Sequence, residues 1–311
     1  MTSVLATVLP IFALIFAGWF SRCIGIFGPH ATSELNRFVV HLALPALLFD
    51  IVANARWNDI WQPGFIAAFG LGAFIVFGLA IAVHLARGGR LADAAIDGLN
   101  AAYANTGFVG FPLALAVIGP ASLAPTLIAT ILTVCLLFAV ALLLIETGIQ
   151  SATRPGRLVL IVSASLAKNP LLLAPLAGLA VLGTGYSIPP PAESFLKLLG
   201  AAASPCALVA LGLFLARERE ETSPRSGLVG GLVAMKLFLQ PAMTYLLASY
   251  VFGLSQEATH VAALLAALPT GTGSFMLAEY YRRNEAVTAS VVMISTIVSI
   301  VSITLYLSVT S

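Results

Sequence analysis

The sequence predicts an all-α integral membrane protein. Its ten transmembrane helices form two inverted five-helix repeats, with helices four and nine broken where they cross. Three observations lead there. Of the 311 residues, 59% are hydrophobic and only 9% charged, which excludes an ordinary water-soluble domain. Ten apolar stretches recur with short connections, each near the roughly 20 residues that span a hydrocarbon core. Two of the ten are interrupted at matching places by glycine, proline and hydroxyl residues.

Taken in order, the spans fall near 3–21, 34–54, 63–86, 94–118, 122–146, 157–183, 190–216, 227–253, 259–282 and 285–308. The first runs from an N-terminus without the basic region and cleavage site of a signal peptide, so it is expected to be retained. It stops before Arg22, and Arg37 opens the second. Basic residues continue to punctuate the odd-numbered loops: Arg87 and Arg90, Arg154 and Arg157, Arg217, Arg219 and Arg225, then Arg282 and Arg283. The even loops and tails carry only Arg56 and Lys197, eleven basic residues against two. Positive charge stays on the cytoplasmic side, so the odd loops are expected inside and both termini outside, as for a bacterial inner-membrane protein. The formal net charge of +2 points to no nucleic-acid partner. Cys23, Cys135 and Cys206 are widely separated in apolar surroundings and read as packing residues, neither metal ligands nor a disulfide framework. No cofactor is expected.

Laying the second half over the first with a shift of 160 matches Pro10 with Pro170, Gly18 with Gly178, Arg37 with Lys197 and Pro45 with Pro205. At the interruptions a shift of 164 pairs Thr106 with Thr270, Gly107 with Gly271 and Phe111 with Phe275. Residues 1–150 and 151–311 are therefore read as two repeats. Five helices is an odd number, so the copies run oppositely through the membrane, as in many secondary transporters.

The interruptions are Asn105-Thr106-Gly107-Phe108-Val109-Gly110-Phe111-Pro112 and Leu268-Pro269-Thr270-Gly271-Thr272-Gly273-Ser274-Phe275. Backbone that leaves the helix at membrane depth persists only where protein or a wet cavity satisfies it. Glycines loosen the helix, while Pro112 and Pro269 break the ladder and suit a restarting helix. A restarting helix aims a partially positive end into the gap, which favours an anion, and unwound carbonyls favour a cation. Asn105, Thr106, Gly107, Pro112, Pro269, Thr270, Gly271, Thr272 and Ser274 are thus the candidate substrate-binding residues. The competing reading makes both breaks packing kinks, which are common in membrane helices.

The first interruption resembles the N-T-x-x-x-G-x-P signature of the auxin efflux carrier family, which holds the plant PIN proteins and many bacterial transporters. Leu44-Pro45, Lys168-Asn169-Pro170, Ser204-Pro205, Lys236-Leu237 before Pro241, and Leu268-Pro269 extend the likeness along the chain. The resemblance implies the fold of the bile acid and sodium symporters. Helices one, two, six and seven would form a scaffold and a homodimer surface, and three to five with eight to ten an elevator-type transport unit for a small organic anion. The family's crossing Asn carries over to Asn105 and its crossing prolines to Pro112 and Pro269. The chain lacks the long central loop of plant PINs and has a ninth break richer in hydroxyls. That points away from auxin and toward malonate or another small carboxylate.

Ionisable groups inside a membrane are functional suspects. His41 shares a helix face with Arg37 and Pro45 and is a candidate proton carrier or a helix-packing residue. Lys236 is the deepest lysine, and its expected mate is a carboxylate or the substrate. Glu146 and Glu279 are expected to reach water or pair with Arg154 or Arg282. Lys168 reads as an interfacial anchor or an anion attractor. A sodium ion, a proton or no ion are all compatible with the hydroxyl-rich breaks. Ser165-Leu166-Ala167-Lys168 has the Ser-x-x-Lys spacing of an intramembrane enzyme but lacks its companion motifs, and no extramembrane domain suggests a sensor.

Overall fold

The computed structural model describes residues 2–55, 61–150, 170–185, 187–216 and 226–310. Among them there is no β-strand, and six helices are long and apolar enough to cross a membrane. These are α2 (Ala31–Ala53), α3 (Pro63–Ala86), α6 (Pro120–Ile149), α8 (Pro190–Leu215), α9 (Ser226–Val251) and α12 (Glu285–Thr310). Their limits fall within a few residues of the expected spans. The helix expected over 3–21 is α1 (Thr2–Cys23). That expected over 157–183 is described only as α7 (Pro170–Thr184), its first part lying outside the described residues with Lys168 and the Ser-x-x-Lys sequence.

The remaining two are each split. Residues 94–118 fall into α4 (Leu91–Ala102), a non-helical step at Tyr103–Asn105, a wide π turn at Thr106–Gly110 and α5 (Phe111–Val117). Residues 259–282 fall into α10 (Gln256–Ala266), a non-helical step through Gly271 and α11 (Thr272–Tyr280).

Local chemistry explains several boundaries. Pro63, Pro120 and Pro190 open helices, where the missing N–H is harmless. Ser255 Oγ accepts from the Ala258 N–H at 3.2 Å and caps α10. Prolines also widen the helices they interrupt. Pro45, Pro112 and Pro241 each stand two residues beyond a π turn, at Val39–Ala43, Thr106–Gly110 and Met235–Leu239. A proline cannot donate to the carbonyl four residues back and its ring crowds that carbonyl, so the preceding turn opens to the longer spacing.

Phe16, Trp19, Phe20, Phe238, Tyr250 and Leu305 face outward, large apolar surface that a bilayer solvates and water does not. Inside, close helix contacts rest on glycine. A Cβ on Gly18 of α1 would lie 2.2 Å from the Val209 carbonyl oxygen of α8, and one on Gly212 of α8 would lie 2.0 Å from the Ile15 carbonyl of α1. A Cβ on Gly178 of α7 would lie 2.9 Å from the Phe49 carbonyl of α2. The two contacts are reciprocal: positions 18 and 178 are 160 apart, and so are 49 and 209, so α1 meets α8 as α7 meets α2. Substituting Gly212 by Leu should force α1 and α8 apart and destabilise the protein by about 1–3 kcal/mol or more. The check is the melting temperature in detergent, with Gly230→Leu, whose added Cβ meets nothing within 4 Å, as the neutral comparison.

Candidate functional site: the crossing of the two interrupted helices

The interruptions meet back to back. The Asn105 N–H donates to the Pro269 carbonyl at 2.9 Å and the Gly271 N–H donates to the Tyr103 carbonyl at 2.8 Å, forming an isolated antiparallel bridge between Ala104 and Thr270. Each break thereby satisfies the other's backbone, which an apolar interior demands. Thr270 anchors the bridge from both ends: its N–H donates to Ser295 Oγ at 3.1 Å and its hydroxyl to the Asn100 carbonyl at 2.8 Å. Asn100 Nδ2 donates in turn to Thr288 Oγ1 at 3.0 Å. Ser274 Oγ donates to the Gly271 carbonyl at 3.0 Å. The glycines make room for one ring. A Cβ on Gly271 would lie 2.7 Å from Tyr103 Cε1, and one on Gly273 would lie 2.6 Å from Tyr103 Oη.

Beside the bridge lies a cavity of about 160 Å³. Asn105, Thr106 and Gly107 line it from the first break, and Gly271, Thr272 and Gly273 from the second. The lining also takes in Val39, Leu44, Leu47 and Ile51 from α2, Val134 and Thr130 from α6 and Met276 from α11, the Thr130 hydroxyl donating to the Thr126 carbonyl at 2.8 Å. Five of the nine expected binding residues therefore share one cavity: Asn105, Thr106, Gly107, Gly271 and Thr272. Thr270 and Ser274 turn their hydroxyls to backbone carbonyls and Pro269 spends its carbonyl on Asn105, so these three build the crossing without lining the cavity. Pro112 occupies the first turn of α5.

Polar capacity is concentrated on the break side. Among the described residues, Thr106 Oγ1 is buried without a hydrogen-bond partner. The first N–H groups of a restarting helix have no intrahelical acceptor, and their partial positive charge suits an anion. Among the described residues, the cavity lining contains no lysine, arginine, histidine or carboxylate.

The two remaining candidates lie elsewhere. His41 is exposed on α2, outside the cavity lining, its Nδ1 3.1 Å from the Arg37 carbonyl and its ring 5.6 Å from that of Tyr280. Lys236 is fully buried on α9 and is expected to face a carboxylate or the substrate. Instead Nζ donates to the Ala266 carbonyl at 2.7 Å, and no carboxylate lies within ion-pair distance among the described residues. The reason is the break itself: α10 ends at Ala266, leaving last-turn carbonyls that need donors.

The first break is served the same way by a residue that the sequence did not single out. Gln240, one turn beyond Lys236, donates from Nε2 to the Ala102 carbonyl at the end of α4, at 2.9 Å. Its signal was a buried amide just before Pro241 in an apolar run. Glu279 and Glu146 also differ from expectation. Glu279 Oε2 accepts from Asn36 Nδ2 at 2.5 Å, and Glu146 Oε1 accepts from the Tyr281 hydroxyl at 2.5 Å. Both carboxylates are largely buried beside these donors, and Arg154, one of the expected partners, lies outside the described residues.

The membrane transport protein family matches residues 3–307 of the chain. A Rhizobium meliloti protein named "Putative malonate transporter" is 31% identical over 305 residues, covering 98% of this chain and 95% of the relative. An uncharacterized transporter of Methanothermobacter thermautotrophicus is 28% identical over 306 residues, 96% of each chain. An uncharacterized transporter of Escherichia coli is 25% identical over 290 residues, covering 90% of this chain and 89% of its own. The support for the crossing can be measured without any substrate. Gln240→Leu strands the Ala102 carbonyl in an apolar interior and should cost about 1–3 kcal/mol, read as a lower melting temperature of the purified protein.

Proposed function

The chain belongs to the membrane transport protein family and is a transporter, not an enzyme, and from that premise we propose that it carries a small organic anion, a carboxylate, bound at the crossing of the two interrupted helices. The observation that carries this reading is the cavity beside the Ala104–Thr270 bridge, lined by Asn105 and Thr106 from one break and Thr272 from the other, beside the two helix starts. Asn105 offers an amide donor there, and the helix starts offer backbone N–H groups and partial positive charge.

Ten spans in two inverted repeats fit this placement. The reciprocal glycine contacts of α1 with α8 and of α7 with α2 support such a repeat, because a two-fold relation between the halves generates both contacts from one. In this reading α1, α2, α7 and α8 form the scaffold and homodimer surface. The interrupted helices move with α3, α6, α9 and α12 as an elevator unit, in a bacterial inner membrane with both termini outside.

Two substrate classes separate on specific observations. The Rhizobium meliloti relative's name favours a dicarboxylate such as malonate. The lining favours one carboxylate on a short apolar body, since a second carboxylate would meet Val39, Leu44, Leu47 and Val134 with no cation among the described lining residues to pair it. Thermal stabilisation by malonate, propionate, isovalerate and indole-3-acetate, each in sodium and in potassium, distinguishes them, because a ligand that binds only the folded state raises the melting temperature. Stabilisation by isovalerate above malonate supports the monocarboxylate, the reverse order the dicarboxylate, and no stabilisation by any acid refutes the anion reading.

Asn105→Ala should lower uptake of the stabilising acid by proteoliposomes tenfold or more with an unchanged melting temperature; undiminished uptake removes Asn105 from the site. Pro269→Ala, which restores a helix donor inside the break, should impair uptake as well, whereas full activity would make the break a packing kink.

A further inference from the structure

Among the described residues, Tyr103 brings the one aromatic hydroxyl to the cavity lining. It stands two residues before Asn105, just outside the interruption that the sequence marks. The residue is fixed from several sides. Its N–H donates to the Leu99 carbonyl at 2.8 Å in the last turn of α4, and its carbonyl accepts the Gly271 N–H at 2.8 Å. Its ring centre lies 5.8 Å from that of Phe138 on α6, the planes inclined at 49°. The far edge of the ring rests on the second break: a Cβ on Gly271 would lie 2.7 Å from Cε1, and one on Gly273 would lie 2.6 Å from Oη. Any side chain at either glycine would collide with the phenol, so the hydroxyl faces bare backbone.

Two independent observations at that point indicate a ligand. First, Tyr103 is 5% exposed, and its hydroxyl forms no hydrogen bond among the described residues. A buried phenol ordinarily finds a partner, because an unmatched polar group in an apolar interior is costly. Second, Gly273 is the second residue of the nine-residue helix α11, and the first N–H groups of that helix, on Thr272 and Gly273, have no carbonyl within it to donate to. Tyr103, Thr272 and Gly273 all line the cavity. A phenol O–H and backbone N–H groups are donors, so the group that satisfies them together is an acceptor. The partial positive charge of a helix start selects an anionic one, and a carboxylate has two oxygens to divide between them.

We propose that Tyr103 is a substrate-binding residue: its hydroxyl donates to the carboxylate of the transported acid at the start of α11. The proposal rests on the anion reading above and adds to it the end of the cavity where the charge sits. The carboxylate lies on the second break, within reach of Asn105, and the apolar body runs along Val39, Leu44 and Leu47 of α2. The phenol keeps its proton throughout, so binding needs no proton transfer.

Titration of isovalerate and, in parallel, malonate into purified protein tests this, together with infrared difference spectra of the bound acid. Tyr103→Phe keeps the ring and its packing on Phe138, Gly271 and Gly273 while removing the hydroxyl. It should leave the melting temperature without ligand unchanged and weaken binding of the acid tenfold or more. It should also shift the carboxylate stretching band of the bound acid, which a purely structural role would not move. Gly273→Ala, whose Cβ displaces the phenol, should weaken binding at least tenfold and provides the test if the Phe variant fails to fold. Wild-type affinity in either folded variant, or an unmoved carboxylate band in Tyr103→Phe, overturns the assignment of Tyr103 and leaves the anion reading intact. Binding of neither acid by the wild type overturns the anion reading and this proposal with it.

Discussion

Everything at the centre of this molecule follows from one constraint: a peptide group in an apolar interior must have a partner. Two helices that stop at Ala102 and Ala266 expose carbonyls at their ends and N–H groups where the chain restarts. Left alone, either break would cost several kcal/mol per group. Brought together, they share two backbone hydrogen bonds across Ala104 and Thr270. A single neighbouring helix supplies the remaining donors, Lys236 for Ala266 and Gln240 for Ala102. What is left unsatisfied, the buried Thr106 hydroxyl, lines the cavity. Asn100 Oδ1 and Gln240 Oε1, on the residues that support the two breaks, are likewise buried without a partner among the described residues.

The sequence made some of this readable and concealed the rest for physical reasons. Apolar stretches of spanning length are a one-dimensional signal, so α2, α3, α6, α8, α9 and α12 could be placed within a few residues. Glycine and proline act locally, so the interruptions at Tyr103–Asn105 and before Thr272 could be located as well. Direction of a side chain is a different matter. Thr270, Thr272 and Ser274 are alike in composition and adjacent in the chain, yet Thr272 lines the cavity while the other two hold backbone carbonyls. Which does which depends on the register of the Ala104–Thr270 bridge, a long-range fact. For the same reason Gln240 was missed, and Lys236 was expected to meet a carboxylate when a carbonyl at a helix end was waiting.

The cavity divides its labour by wall. Break residues provide dipoles, an amide and hydroxyls, while α2 and α6 provide aliphatic surface. In the proposed reading, recognition by partial charges keeps the empty site inexpensive in an apolar interior, since no full charge lines it among the described residues. Apolar walls would then reward the body of a substrate and tolerate variation in it, whereas the polar wall would fix one end.

The bridge has a further consequence, for assembly. Ala104 and Thr270 are 166 positions apart, so the first break leaves the ribosome long before its partner exists. At ordinary synthesis rates that interval is on the order of ten seconds. For that time α4 and the turn after it lack the only backbone groups that complete them. The first half therefore cannot reach its final depth and shape until the second is made, and the transporter matures as one cooperative unit whose centre closes last.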